Sequence, residues 1–139
     1  MKFFLCIILC LFYQTKAELE IGQKINNGIK IITYPKYILS SSASLEKAYV
    51  ILYHHCKFDV IANSQMKIKE IFTNDTTFST SDNVKVGMLY RDIKEKLVAG
   101  SLKIRAGWAN YYVSKSGWKI AFDYKSNVND TSKVKFFFK

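Results

Sequence analysis

The chain has 139 residues, of which 49% are hydrophobic and 23% are charged. This balance is close to that of an average globular protein, so it excludes an intrinsically disordered or collagen-like chain. A single proline and six glycines argue against long linkers, and the 15% aromatic content is enough to build a core in a small protein. The formal net charge of +10 makes the chain strongly basic.

The first 17 residues have the layout of a secretory signal peptide. Met1 and Lys2 form a short positive start, an apolar run of 11 residues follows from Phe3 to Tyr13, and Thr15 and Ala17 are small residues before a cleavage site. The run is shorter than a membrane anchor, which needs about 20 apolar residues. We therefore predict cleavage after Ala17 and a single secreted or periplasmic domain over residues 18–139, with no transmembrane segment.

Cleavage changes the charge and the cysteine content of the mature chain. The loss of Lys2 and Lys16 leaves 19 basic residues against 11 acidic residues, a net charge of +8. Cys6 and Cys10 are also removed, so Cys56 stays alone and no intramolecular disulfide can form. We expect Cys56 to be buried as a small hydrophobic side chain, the alternative being an intermolecular disulfide.

The first half of the mature chain predicts four strands. Gly28–Tyr34 is apolar and β-branched and ends at Pro35, which cannot donate a backbone hydrogen bond. After a serine-rich loop, Ser44–Ala48 predicts one short helical turn with Ser44 as its cap. Three further runs have the composition of strands joined as hairpins: Tyr49–His54, Lys57–Ala62 and Lys67–Thr73.

The second half opens with a polar loop and a predicted helix. Thr73–Asn83 is rich in residues that bond their own backbone in loops. Leu89, Ile93 and Leu97 follow at a spacing of four, which predicts the one main helix of the chain. We assign Gly87 to a tight strand-to-helix junction, where its missing Cβ permits unusual backbone angles or a close approach.

The C-terminal third predicts a hairpin and a last strand. Ile104–Val113 and Trp118–Tyr124 flank the turn-forming residues Ser114–Gly117, and Trp118 is expected to be buried. The last strand spans Lys133–Lys139, with these side chains inward: Val134, Phe136 and Phe138.

These elements predict an α+β fold, in which one main helix over about residues 89–97 packs on an antiparallel sheet of about six or seven strands. Asn27–Ile31 is echoed by Asp82–Val86 at an offset of 55 residues, so a degenerate tandem repeat stays open.

The segment Val84–Leu97 resembles the opening motif of the superfamily that contains the small outer-membrane lipoprotein A and the β-lactamase inhibitor protein. Gly107, Tyr111 and Tyr112, and the run Ser116–Phe122 resemble its hairpin of glycine and aromatic residues, so the likeness covers residues 83–124. The resemblance implies a helix laid on an antiparallel sheet, in small exported bacterial proteins that bind other proteins and catalyse nothing.

The sequence offers no catalytic or metal-binding pattern. His54, His55 and Cys56 form the one cluster of metal-ligand types, but a tetrahedral zinc site needs three or four ligands from suitable positions. A nucleophilic Cys56 lacks a third group to orient a histidine. We therefore predict no enzyme activity, no catalytic residue, no metal and no cofactor. Asn74 and Asn129 begin glycosylation sequons, which would mark surface loops in a eukaryotic protein.

Positive charge is concentrated at the C-terminal end. Residues 101–139 contain eight basic and two acidic residues, a net charge of +6, and most of the lysines alternate with apolar residues. The outward face of this sheet should therefore be positive, either for solubility alone or for an anionic partner. The candidate binding residues are Lys103, Arg105, Trp108, Tyr111, Tyr112, Lys115 and Lys119.

The leading hypothesis is a non-enzymatic exported module that binds a protein, with an acidic protein or an anionic surface as its partner. The alternative is a secreted cationic protein that binds polyanions or membrane surfaces. Nucleic acid is disfavoured, because specific readers favour arginine and the chain has only Arg91 and Arg105.

Overall fold

The structure is a computed structural model that describes residues 18–26 and 28–139. The predicted signal peptide and Asn27 lie outside the described residues. Within them the chain folds mainly as one antiparallel sheet, and its helical content is limited to two short turns. The prediction of an α+β fold with a main helix is therefore wrong.

Nine strands are present in the described part of the chain, more than the six or seven expected. Between the fifth and the sixth strand, an α-helical turn, α1, spans Tyr90–Ile93 and a 3-10 turn continues over Lys94–Lys96. The strands are β1 (Lys30–Ile31), β2 (Lys36–Leu39), β3 (Leu45–Tyr53), β4 (Cys56–Ala62), β5 (Ile68–Thr73), β6 (Lys103–Arg105), β7 (Ala109–Val113), β8 (Lys119–Phe122) and β9 (Phe136–Phe138).

The sheet consists of two meanders joined by the last strand. Its order is β1-β3-β4-β5-β9-β8-β7-β6. β2 pairs with the same edge of β3 as β1 does, but nearer to the start of β3. Strand β9 lies between β5 and β8, with Phe138 opposite Phe72 on one side and opposite Lys119 on the other. The hairpins β3-β4-β5 and β7-β8 confirm the predicted strand pairs.

The predicted main helix is replaced by a single α turn and a 3-10 turn. The backbone leaves the α conformation at Ile93 (φ −121°, ψ −8°) and is extended at Leu97 (φ −90°, ψ 148°). Ile93 and Leu97 are nevertheless both buried. Their spacing of four therefore brings both to the core through the short 3-10 continuation, without a helix of several turns.

Two other local predictions are also wrong. Ser44–Ala48 forms no helical turn, because Leu45 begins β3, and the hydroxyl groups of Ser40, Ser42 and Ser44 bond one another in the turn before it. The run Ile104–Val113 is divided into β6 and β7 by a turn in which Gly107 has a φ of +76°.

The two halves do not repeat one another. In the first half, the last two residues of the segment Asn27–Ile31 form β1. In the second half, the corresponding residues Lys85 and Val86 belong to no strand. Gly87 does adopt the unusual backbone angle that was predicted, with a φ of +89°, although it does not directly follow a strand.

One face of the sheet, here called the covered face, is closed by the segments that lie outside the strands. Strand side chains such as Ile51, Val60 and Phe137 are fully buried on it. The covering side chains come from the N-terminal segment, from the long connection between β5 and β6 and from the segment before β9: Leu19, Ile25, Ile29, Phe78, Val84, Ile93, Leu97 and Val134.

Candidate functional site

Strand register brings five of the seven candidate residues to the opposite face of the sheet. Paired residues of neighbouring strands share a face, and so do alternate residues of one strand. Lys103 lies opposite Tyr111, which shares its face with Lys119 through Ala121. Arg105 shares the face of Lys103. Trp108 packs on the same side, and we call this surface of β6 to β9 the basic aromatic face: Lys103, Arg105, Trp108, Tyr111, Lys119, Phe136 and Phe138.

Trp108 is the centre of the aromatic part of this face. It lies in the turn between β6 and β7 and folds back over the sheet, so its ring centroid is 4.8 Å from that of Phe138 and 5.5 Å from that of Phe136. Tyr111 and Phe72 also make edge contacts with it, at 6.2 and 6.5 Å. Phe138 is buried beneath these rings, whereas Trp108, Tyr111 and Phe136 keep part of their surface exposed.

Cations stand over the rings of this face. The guanidinium carbon of Arg105 is 5.8 Å from the ring centroid of Trp108, and Lys119 Nζ is 5.2 Å from that of Phe138. Lys103 is exposed beside them. Among the described residues, none of these three cations forms an ion pair with a carboxylate.

On the other half of the same sheet, two lysines are neutralised by carboxylates of nearby strands. Lys36 Nζ lies 2.7 Å from Asp59 Oδ2, and Lys69 Nζ lies 3.0 Å from Glu46 Oε2. Hydrogen bonds from Lys69 and Ser44 lower the pKa of the Glu46 carboxyl. Lys30 and Lys57 share this side through their pairing with Leu52 and form no ion pair in the described chain. The part formed by β6 to β9 differs because its cations lie beside the rings of Trp108 and Phe138.

Tyr112 and Lys115 lie away from the basic aromatic face. Tyr112 is on the covered face, where its ring centroid is 5.5 Å from that of Tyr90 and 6.2 Å from that of Phe122. Burial, and then its contact with Tyr90, raises the pKa of Tyr112 to about 12. Lys115 is exposed in the β7-β8 turn, whose backbone is tied to the 3-10 turn by a 2.8 Å hydrogen bond from its N–H to Lys96 O.

Sequence reasoning missed the contribution of β9 to this face. It placed Val134, Phe136 and Phe138 inward together, but Phe136 and Phe138 point to the basic aromatic face and Phe137 is buried on the covered face. Because β9 is an inner strand with side chains packed on both faces, both sides of the Phe136–Phe138 run are apolar. Three consecutive phenylalanines were the signal for such a two-sided strand.

The residues with chemical reactivity in the His54–Cys56 triplet lie in different surroundings. Cys56 is buried, as predicted, and its Sγ lies 3.6 Å from Thr77 Oγ1. His54 and His55 are exposed in the β3-β4 turn, both with positive φ. In residues 18–26 and 28–139, no group of three or more His, Cys, Asp and Glu side chains is arranged to hold a metal ion. Asn74 and Asn129 lie in exposed loops, as predicted.

No protein-family model, no curated protein and no solved structure matches this chain. The resemblance of residues 83–124 to the lipoprotein and inhibitor superfamily therefore stays a prediction. Neither helical turn of the described chain has the length and apolar character required to cross a membrane.

Proposed function

We propose that this chain is an exported, non-enzymatic binding protein that uses the basic aromatic face to bind an acidic protein. The observation that carries the proposal is the convergence of Lys103, Arg105 and Lys119 with exposed parts of Trp108 and Tyr111 on one surface. Export rests on the signal-peptide prediction for residues 1–17.

The aromatic side chains supply the apolar part of such an interface. Tryptophan, tyrosine and arginine are enriched among the residues that dominate binding energies, because they combine large apolar area with a polar group. On this face Trp108 is held by Phe136 and Phe138 and also lies under Arg105. A partner would therefore meet rings that are already fixed in place, which lowers the entropic cost of binding.

The charges supply orientation and encounter rate. Lys103, Arg105 and Lys119 have no acidic partner among the described residues, in contrast to Lys36 and Lys69 of the other half. A cluster of unneutralised cations attracts an acidic surface over a distance of about 10 Å at ordinary ionic strength. The partner that fits best presents carboxylates around an apolar centre.

The test compares two double charge reversals that change the net charge equally. Lys103→Glu with Lys119→Glu alters the basic aromatic face, and Lys85→Glu with Lys94→Glu alters two exposed lysines of the connection between β5 and β6. Each protein is immobilised and exposed to the extracellular or periplasmic fluid of its native source. The proposal predicts acidic proteins captured by the wild type and the control but not by the face variant. Equal capture by the two variants would contradict it.

The alternative function, binding of polyanions or membrane surfaces, follows from the net charge alone. It predicts that both double variants bind heparin and anionic vesicles more weakly than the wild type, and to the same extent. This binding should also weaken steeply as the salt concentration rises. A packed apolar interface weakens much less with salt. Salt dependence and the difference between the two variants therefore separate the two functions.

A further inference from the structure

We infer that the covered face contains a separate binding site, a cavity for a small, uncharged and mainly apolar molecule. The cavity has a volume of about 530 Å³ and lies between β4, the loop after β5 and the N-terminal segment. This size falls within the range of about 300–1,000 Å³ that is typical of small-molecule sites. The site is independent of the function proposed for the opposite face.

Aromatic side chains form the wall of the cavity and hold one another in place. The ring centroid of Phe78 is 5.0 Å from that of Trp118 and 5.4 Å from that of Phe58, and Phe58 stacks on Trp118 at 6.5 Å. Leu19 and Cys56 complete the apolar lining. All five side chains are buried, so the wall exists before any ligand arrives.

The loop that closes one side of the cavity is fixed by Asp75. Its carboxylate accepts hydrogen bonds from the backbone N–H of Lys57 at 2.8 Å and of Thr77 at 2.8 Å, and also from the Thr77 hydroxyl. These bonds hold the loop that carries Thr77 and Phe78 against β4. The cavity therefore has a defined shape and is not a transient gap between loops.

The charges beside the cavity favour an uncharged ligand. Glu18 lines the cavity, and its Oε2 lies 3.1 Å from Lys139 Nζ, which also stands 4.7 Å from the ring centroid of Trp118. Because the carboxylate and the ammonium already neutralise one another, neither is left to neutralise a charged ligand. An uncharged molecule disturbs neither.

The test uses prodan, an uncharged naphthalene ketone whose absorption overlaps tryptophan emission. The chain has two tryptophans, so the Trp108→Phe variant leaves Trp118 as the sole energy donor. We expect saturable energy transfer from Trp118 to one prodan molecule, and much weaker transfer to anilinonaphthalene sulfonate, which is anionic. Absence of saturable transfer, or equal binding of the anionic dye, would overturn the inference.

Variants that fill the cavity locate the dye. Ser79→Phe places a ring in the cavity lining and should weaken prodan binding by about tenfold or more, because overfilled apolar sites are strongly unfavourable. Ser64→Phe, at an exposed position in the β4-β5 turn, is the matched control and should bind normally. Equal prodan binding by Ser79→Phe and Ser64→Phe would overturn the inferred location of the site. Ser81→Phe, at the exposed rim, replaces Ser79→Phe if the latter does not fold.

Discussion

The two faces of the sheet each carry one tryptophan, and the surroundings of the two rings differ. Trp118 is 1% exposed and is enclosed by backbone segments that bring Leu19 and Phe78 over it. Trp108 is partly exposed and is bordered by Arg105. One face is therefore closed by chain segments, whereas the other is closed only by its own side chains.

This difference separates two roles for aromatic residues in one small protein. On the covered face, rings add apolar burial and hence stability. On the basic aromatic face, Phe138 is buried at 1% exposure, but the rings above it stay accessible between cations. Removal of an aromatic side chain should therefore affect stability on the first face and binding on the second.

The largest expected effect comes from replacing the two tryptophans in turn. Trp118→Ala leaves a cavity in the core and should lower the free energy of unfolding by about 3–5 kcal/mol. Trp108→Ala removes a partly exposed ring and should cost only about 1–2 kcal/mol. Urea unfolding followed by circular dichroism measures both values. Equal losses would show that the two faces do not differ in this way.

The next effect concerns Asp75, which holds the loop over the covered face. Asp75→Asn should lower the free energy of unfolding by about 1–3 kcal/mol, because a charged acceptor of three hydrogen bonds is lost. Asp130→Asn, in an exposed loop, is the control and should unfold at the wild-type urea concentration. If both variants unfold together, the loop is not held by Asp75.

The loss of stability at acid pH provides a second test of Asp75. Hydrogen bonds from Thr77, followed by those from the backbone of Lys57 and Thr77, lower the pKa of Asp75 below 3.8. The unfolded chain therefore binds a proton before the folded chain does, so this stability is present above pH 3.8 and is lost as the pH falls through the folded pKa. Asp75→Asn should show a shallower loss of stability in that window.

A smaller effect is expected at alkaline pH from Tyr112. Burial, and then Tyr90, raises its pKa from 10 to about 12, so the unfolded chain loses the Tyr112 proton first. Stability should therefore fall as the pH rises through this interval, and Tyr112→Phe should reduce the slope. Tyr37→Phe changes a tyrosine that is 69% exposed and should leave the slope unchanged. Identical slopes in both variants would place Tyr112 outside the covered face.

Local patterns in the sequence predicted the strands better than their arrangement. Alternation and turn residues indicated β3, β4, β5 and the β7-β8 hairpin, because these pairings are between neighbours in the chain. The position of β9 between β5 and β8 depends on pairing across more than 60 residues, as between Phe72 and Phe138, and no local pattern encodes it. The spacing of Ile93 and Leu97 predicted burial correctly but could not fix the helix length.

The candidate residues were placed correctly where the alternation of side chains between the two faces of a strand was taken into account. They were placed wrongly where it was not. Lys103 and Arg105 are two residues apart on one strand, so they share a face. Tyr111 and Tyr112 are adjacent on β7 and must point to opposite faces, a fact that the strand period alone could have shown. The cavity was not predicted, because Phe78 lies within a polar loop whose composition indicates only a surface position.

The smallest expected effect on stability comes from reversing charges on the basic aromatic face. Lys103→Glu with Lys119→Glu should change the free energy of unfolding by about 1 kcal/mol or less, since exposed charges and single cation–π contacts contribute little. The control pair, Lys85→Glu with Lys94→Glu, should change the free energy of unfolding by a similarly small amount. A loss of several kcal/mol in the face variant would show that these lysines serve the fold.

The association rate with the captured acidic partner tests the central claim most directly, namely that the basic aromatic face is a binding surface. It is measured for the wild type and for both double variants under the same salt conditions. The account predicts that the Lys103 and Lys119 reversal slows association by about tenfold or more, whereas the Lys85 and Lys94 reversal changes it much less. Equal rates for the two variants would contradict the account.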